Sequence, residues 1–177
     1  MPDTIQDLTG AIGAVPTCPL CGSDEVVRDV WARWNPVAGL WELGNVFDES
    51  MCEACGARDA FAWISKADLR KRKLAKLNDA LRKGAPGPND MVVVTQGVRA
   101  LGPAFIEGAR KAIAGFDAFD DGDDPYGEHD FGALDVRGER LFWKIDCYDL
   151  TLTGGAVEPE NPAVTRRVLT IMLAHEY

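Results

Sequence analysis

Two short cysteine motifs carry the clearest chemical signal in the sequence. Each has the form Cys-x-x-Cys-Gly, and their cysteines are Cys18, Cys21, Cys52 and Cys55. A Cys-x-x-Cys turn places two thiolates on one side of a bend, and two such turns supply the four soft ligands that a tetrahedral zinc ion prefers. Four sulfur ligands leave no coordination position for water. We therefore predict a structural zinc site.

Disulfides and unrelated buried thiols are the alternatives for these cysteines. Residues 1–16 contain no basic residue and no continuous apolar run, so they do not resemble a secretory signal. We therefore expect a cytoplasmic, reducing environment, which favours a metal over a disulfide. The fifth cysteine, Cys147, lies far from both motifs and is expected to be an ordinary packed side chain.

A polar segment in the second half holds the residues best suited to acid-base chemistry. They are Glu128, His129 and Asp130. A histidine flanked by carboxylates can act as a general base. The alternative is a solvated loop, in which aspartates cap their own backbone and His129 anchors the loop to a sheet. Both interpretations are open, and the catalytic residues, if any, are unknown.

A basic segment separates two acidic ends of the chain. The net charge is −9 overall, and residues 66–88 carry eight basic side chains against two acidic ones. The side chains that could contact nucleic-acid phosphates are Arg70, Lys71, Arg72, Lys73 and Lys76. The alternative is a solvated helix face that pairs with the acidic ends.

The first part of the chain predicts a small antiparallel domain, a zinc ribbon over residues 1–65. Strands rich in β-branched and aromatic residues are expected at 26–34, 40–47 and 61–64, giving three antiparallel strands. A helix should begin after Ser65, because Ser65 and Asp68 form a capping box. We assign residues 66–88 to this basic helix and its linker.

Residues 89–177 predict a second, α+β domain in the order β-α-β-β-α. We expect a strand at 91–95, a helix at 103–116 and a hairpin formed by 131–136 and 140–148. A last helix is predicted to open at Asn161-Pro162, because apolar residues then recur at helical spacing. The whole chain is therefore expected to be of the α+β class.

Three strings of residues resemble a bacterial family known as domain-of-unknown-function family 3768. They lie at 123–132 (DDPYGEHDFG), 142–146 (FWKID) and 161–174 (NPAVTRRVLTIMLA). The resemblance extends over about residues 70–177. It implies a setting in bacterial mobile elements and plasmids, where similar zinc ribbons also occur, and it implies no activity.

These observations predict a non-enzymatic, zinc-binding interaction protein. No window is apolar for long enough to span a bilayer, and we expect a protein partner. The narrowest version is an inhibitor of anti-restriction or anti-CRISPR type that presents DNA-like negative charge. The alternatives are a nucleic-acid-binding accessory protein that uses the basic helix, and an enzyme with a site around His129.

Overall fold

The computed structural model of the protein describes residues 13–120 and 122–177. The chain divides into two compact units, Met1–Leu69 and Arg70–Tyr177. The predicted absence of a leader over residues 1–16 falls largely outside the described residues. Within the described part, no helix combines the length and apolar character needed to cross a bilayer.

Unit 1 consists of two antiparallel strand pairs joined by the cysteine motifs. Its strands are β1 (Ala14–Thr17), β2 (Val26–Asn35), β3 (Leu40–Cys52) and β4 (Ala62–Ser65). β2 pairs with β3 and β1 pairs with β4, so the predicted single three-stranded sheet was wrong. β1 ends just before the first motif and β4 follows the second. When the two motifs come together, β1 and β4 are therefore placed side by side. The sequence of β4 alone does not predict this pairing.

The basic helix α1 covers Lys66–Arg82, as predicted. Ser65 Oγ accepts a hydrogen bond from the Asp68 amide at 3.0 Å and donates one to Asp68 Oδ2 at 2.7 Å, which confirms the capping pair. Leu74 and Leu81 are buried. Gly84 follows the helix with a φ of +87°, and its amide donates to the Leu81 carbonyl.

Unit 2 is built around a four-stranded sheet. Its elements are β5 (Met91–Val94), α2 (Gln96–Ala100), α3 (Pro103–Ala114), β6 (Phe131–Val136), β7 (Glu139–Asp149) and β8 (Thr165–Leu173), followed by a short 3-10 helix at Ala174–Glu176. The spatial order is β5-β8-β7-β6, with β5 parallel to β8 and the other pairs antiparallel. Phe105, Ala109 and Ile113 of α3 pack with Trp143 and Ile145 in the core. The α+β class is confirmed.

The predicted last helix was wrong, because residues 165–173 form β8, one of the two inner strands of the sheet. Val168, Ile171 and Met172 recur at helical spacing, but a strand that is covered on both faces also shows a nearly continuous apolar run. The β-branched residues Thr165, Val168, Thr170 and Ile171 favour a strand. Burial alternates along the first part of β8 and is continuous over Ile171–Leu173, and the buried residues include an arginine.

The buried arginine of β8 explains part of this misassignment. Arg167 is fully buried, where a helix pattern would place it on the surface. Its Nε donates to Asn78 Oδ1 of α1 at 3.2 Å, and its Nη2 donates to the Pro159 carbonyl. Cys147 lies opposite it on β7. Arg167 thus tethers α1 to the sheet through a polar contact that hydrophobic periodicity cannot reveal.

We expect the substitution Gly132→Ala to destabilise unit 2. Gly132 lies opposite Trp143, and a Cβ added there would fall 2.6 Å from Trp143 Nε1. Because the indole is fully buried, it cannot move away freely, and the cost should be about 1–3 kcal/mol in the free energy of unfolding. Urea unfolding followed by circular dichroism measures this change.

Gly155→Ala is the matched control. A Cβ at Gly155 meets no atom within 4 Å, and the stability should stay within about 0.5 kcal/mol of the parent. Equal stability of the two variants would show that the close approach of Gly132 to Trp143 is not a constraint.

Candidate functional site

The four motif cysteines come together at one point in unit 1. Their sulfur atoms all lie within 4.8 Å of one another. Cys18 Sγ is 3.7 Å from Cys55 Sγ, and Cys21 Sγ is 3.5 Å from Cys52 Sγ. A metal–sulfur distance of about 2.3 Å places the sulfurs of a tetrahedral site about 3.8 Å apart. The spacing fits one tetrahedral ion and is far longer than a disulfide bond of about 2.05 Å.

The two motifs have the same backbone geometry. The Gly22 amide donates to the Cys18 carbonyl at 2.9 Å, and the Gly56 amide donates to the Cys52 carbonyl at 2.8 Å. Both glycines have positive φ angles, +72° and +74°. A side chain would be strained in this conformation, which explains why a glycine follows each second cysteine.

The sulfur atoms influence each other's ionisation. Hydrogen bonds from the backbone of Cys21, opposed by burial and helped by the Leu20 backbone, lower the pKa of the Cys18 thiol to about 7. The Ala57 backbone acts to lower the pKa of the Cys55 thiol, but the sulfur of Cys21 and burial outweigh it and raise that pKa to about 12. Several thiolates at this spacing repel one another. A bound cation would stabilise all four in the ionised form.

The cluster could therefore hold a metal ion in a structural role. Four thiolate ligands complete a tetrahedral shell and leave no open position for a substrate or water. Cys147 belongs to unit 2 and is not part of the cluster. Burial raises the pKa of the Cys147 thiol, whereas an activated cysteine has a lowered pKa.

His129 lies in a loop that is fastened to α1. Its Nδ1 is 3.1 Å from Asp79 Oδ1, and its ring stacks on Phe119 with a centroid distance of 3.9 Å. The buried carboxylate of Asp124 accepts hydrogen bonds from the backbone amides of Glu128 and His129. The Glu128 carbonyl in turn accepts a hydrogen bond from Asn78. These contacts anchor the loop to α1, and the next residue, Asp130, accepts a hydrogen bond from the Ile145 amide of β7 at 2.7 Å.

The three candidate catalytic residues do not converge on one point. Burial and then Asp130 raise the pKa of Glu128, and burial followed by Asp124 and Asp146 raises the pKa of Asp130. Asp130 lines an open cleft of about 450 Å³ with Lys144 and Asp146, whereas His129 does not line it. Among the described residues, no hydroxyl or thiol hydrogen bonds to the His129 ring. The arrangement lacks the nucleophile–base pair that covalent catalysis requires.

The side chains of the basic helix do not form a single exposed face. Arg70 Nε donates to Glu160 Oε2 at 3.2 Å. The Lys71 side chain lies against Gly127, where an added Cβ would be 3.0 Å from Lys71 Cε. Lys73 is half-buried and helps lower the pKa of Glu160, after the Glu160 backbone and Arg70.

Only part of the predicted nucleic-acid contact set points away from acidic neighbours. Arg72 and Lys76 are exposed and make no ion pair among the described residues. Arg70, Lys71 and Lys73 instead lie near acidic side chains of unit 2.

Asp79 is the important residue of this region that the sequence did not reveal. It accepts hydrogen bonds from Arg82 Nε at 2.8 Å and Lys83 Nζ at 3.0 Å, besides its contact with His129. The spacing of Asp79 to Arg82 and Lys83, three and four residues, is the signal for helical ion pairs. Nothing local could indicate its pairing with His129, which is 50 residues away in the sequence.

Comparison with known proteins finds one match, which lies within unit 2. Residues 94–176 match the model of a family described as "Protein of unknown function (DUF3768)". The resemblance inferred from the three sequence strings is thereby confirmed, and all three strings lie inside the matched segment. No curated protein and no solved structure matches the chain. The cysteine cluster precedes the matched segment.

We expect the protein to bind one metal ion per chain through the cluster. Cys52→Ser should abolish stoichiometric binding, because a buried ligand is lost and three sulfurs remain. Elemental analysis of purified protein, together with native mass spectrometry, measures the metal content. Cys147→Ser is the control and should keep the metal. Equal metal content in both variants would contradict the assignment of the cluster.

We expect Asp79 to make the stability of unit 2 depend on acidic pH. Burial raises the pKa of Asp79, but hydrogen bonds from Lys83, Arg82 and His129 outweigh it, so the folded-state pKa lies below the reference of 3.8. The stabilisation is present above the unfolded-state pKa and is lost as the pH falls through the lower, folded-state value. Parent protein should therefore lose stability below about pH 4 more steeply than Asp79→Asn.

The Asp79→Asn variant should also be about 2–4 kcal/mol less stable at pH 7, because the buried Arg82 loses its carboxylate partner. Urea unfolding between pH 2.5 and 7 tests both statements. Asp135→Asn is the control, since its ion pair with Arg140 is exposed and should contribute less than about 1 kcal/mol. Parallel pH profiles for the parent and Asp79→Asn would contradict the role of Asp79.

Proposed function

We propose that this is a non-enzymatic interaction protein that uses the β2–β3 hairpin of unit 1 to bind a protein partner. The observation that carries the proposal is the apolar surface of that hairpin. Its exposed large apolar side chains are Val27, Val30, Trp31, Trp34, Val37, Leu40, Trp41, Leu43 and Met51. Exposed apolar surface of this extent on a small domain is typical of an interaction site.

The aromatic residues of the hairpin are arranged before any partner arrives. Trp34 packs edge-on against Trp41 across the strands, with ring centroids 5.5 Å apart. Trp31 packs in the same manner on Phe47 at 5.0 Å. Ordered, exposed tryptophans lose little conformational entropy on binding, which makes them effective anchors in protein interfaces.

The charge of the hairpin favours a protein over a nucleic acid. Arg28 and Arg33 are its basic residues, and Asp29, Glu42, Asp48 and Glu49 are its acidic ones. Arg28 is already paired with Asp48 at 3.0 Å. Nucleic-acid affinity comes largely from neutralising phosphates, and an acidic hairpin opposes that contribution. A partner with apolar and basic side chains would complement both the rings and the carboxylates.

Zinc is the ion that we propose for the cysteine cluster. A set of four thiolates in tetrahedral arrangement suits zinc, and a site of this kind supplies folding free energy to a small domain. The hairpin depends on this ion, because the chain enters it from one cysteine motif and leaves it into the other. The elemental analysis described above also identifies the metal.

A narrower hypothesis concerns the biological setting. The acidic surface and the resemblance to mobile-element proteins support a partner from a restriction or CRISPR system, which the protein would inhibit. The alternative that the basic helix binds nucleic acid has less support, because three of the five side chains predicted to contact phosphates lie near acidic groups.

We expect Trp31→Ala and Trp41→Ala to remove the partner from zinc-loaded protein in pull-downs from a nuclease-treated bacterial lysate. Each substitution deletes an exposed anchor, 69% and 67% accessible, and should weaken binding by about tenfold or more. Quantitative mass spectrometry of the retained proteins measures the effect.

Tyr126→Ala is the control for these variants. Tyr126 is an equally exposed aromatic residue, 72% accessible, but belongs to unit 2. It should leave partner retention unchanged. Retention that survives both tryptophan substitutions, or that disappears on nuclease treatment of the parent sample, would refute the hairpin as a protein-binding surface.

A further inference from the structure

A cleft in unit 2 combines four cationic side chains with an apolar floor. It lies between the last turn of α1, the C-terminal half of α3 and the sheet, and it has a volume of about 330 Å³. Its cationic side chains are Arg82, Lys83, Arg110 and Lys111. This volume is that of a small-molecule site rather than of a gap that one water would fill.

Arg82 is the fixed cation of the cleft. Its side chain is only 3% exposed and is held by Asp79, which accepts from Nε at 2.8 Å. Its Nη1 donates to the carbonyl oxygens of Ile113 at 2.9 Å and Ala114 at 3.3 Å, at the end of α3. Nη2 makes no hydrogen bond to the described residues. A rigid arginine with one donor group left over is preorganised to bind an anion.

Three further cations surround this arginine. Lys83, Arg110 and Lys111 line the same cleft and are exposed, while Glu107 is the one carboxylate of the lining among the described residues. Asp79 neutralises a further charge through its pairs with Arg82 and Lys83. The remaining balance is about two positive charges. A phosphomonoester, whose second pKa is about 6, carries close to two negative charges at neutral pH.

Capping of helix ends does not account for the whole cluster. Cations near a helix C-terminus are stabilised by the helix dipole, and the contacts of Arg82 Nη1 fulfil that role for α3. Neither Nη2 of Arg82 nor the side chain of Arg110 takes part in the hydrogen bonds at that helix end. Capping also does not require a cavity.

The floor of the cleft indicates what the anionic group would be attached to. Leu81, Ile113 and Leu169 are buried core residues that border the cavity. Together with Val92 they offer apolar contact next to the cationic rim. A ligand with a phosphate at one end and a compact apolar body would satisfy both parts of the cleft.

We propose that this cleft is a binding site for a small organic phosphomonoester. The phosphate would contact Arg82, Arg110 and Lys111, and the organic group would rest on the apolar floor. This site is independent of the hairpin of unit 1, and it goes beyond the function proposed for that hairpin.

The test is a titration of the full-length, metal-loaded protein with phenyl phosphate, followed by isothermal calorimetry and amide chemical shifts. We expect saturable binding, with shifts at residues 82–84 and 107–114, and weaker binding of inorganic phosphate, which lacks the apolar group. Arg110→Ala and Lys111→Ala should each weaken binding by about tenfold, because a charged hydrogen bond is lost.

The control variant is Arg99→Ala, which removes an exposed arginine of α2 that does not line the cleft. It should bind phenyl phosphate as the parent does. Absence of binding in the parent, or equal losses in Arg99→Ala and Arg110→Ala, would overturn the site. A single-stranded oligonucleotide that binds at the same residues at least a hundredfold more tightly than phenyl phosphate would overturn the small-molecule assignment.

Discussion

The four cysteine sulfurs impose the constraint on which unit 1 depends. Its buried described residues are Thr17, Cys18, Ser50, Cys52 and Leu69, so two of the five are cluster cysteines and only one is a large aliphatic side chain. A domain with so little apolar burial cannot offset the conformational entropy of its chain. In our proposal, cross-linking of the four cysteines through a metal takes the place of a core. This arrangement leaves many apolar side chains of β2 and β3 exposed, among them Trp31, Trp34 and Trp41.

Unit 2 is organised in the opposite way. Trp143, Leu141 and Ile171 are fully buried between the sheet and its helices. Hydrogen bonds and ion pairs between polar side chains hold segments that lie outside this core. Asp79 joins Arg82, Lys83 and His129, while Arg167 joins β8 to Asn78. His129 is thus tied into the polar framework of unit 2 through Asp79. The same network orients Arg82, so the polar framework and the cationic cleft share one residue.

The sequence predicted features whose signals are local. The cysteine spacing, the Ser65–Asp68 cap and the β6–β7 hairpin each depend on residues a few positions apart, and each is present. Features set by distant partners were missed. The β1–β4 pair exists because the motifs meet, and β8 is a strand because β5 and β7 flank it. The local periodicity of the sequence predicts neither the β1–β4 pairing nor the position of β8 between β5 and β7. The contact of His129 with Asp79 was also missed, because the two residues are 50 positions apart in the sequence.

The position of β8 sets the order in which unit 2 can fold. β6 and β7 are joined by a tight turn and can pair early, as local hairpins do. β5 has no such neighbour, since its parallel partner is β8, with Met91 opposite Val168. Closing that pairing spans 77 residues, and loop-closure entropy delays it. Until β8 inserts, β5 and one edge of β7 remain without partners. β5 and this edge of β7 therefore stay exposed until β8 has been synthesised and has inserted between them. A chaperone that shields unpaired strands would assist this step.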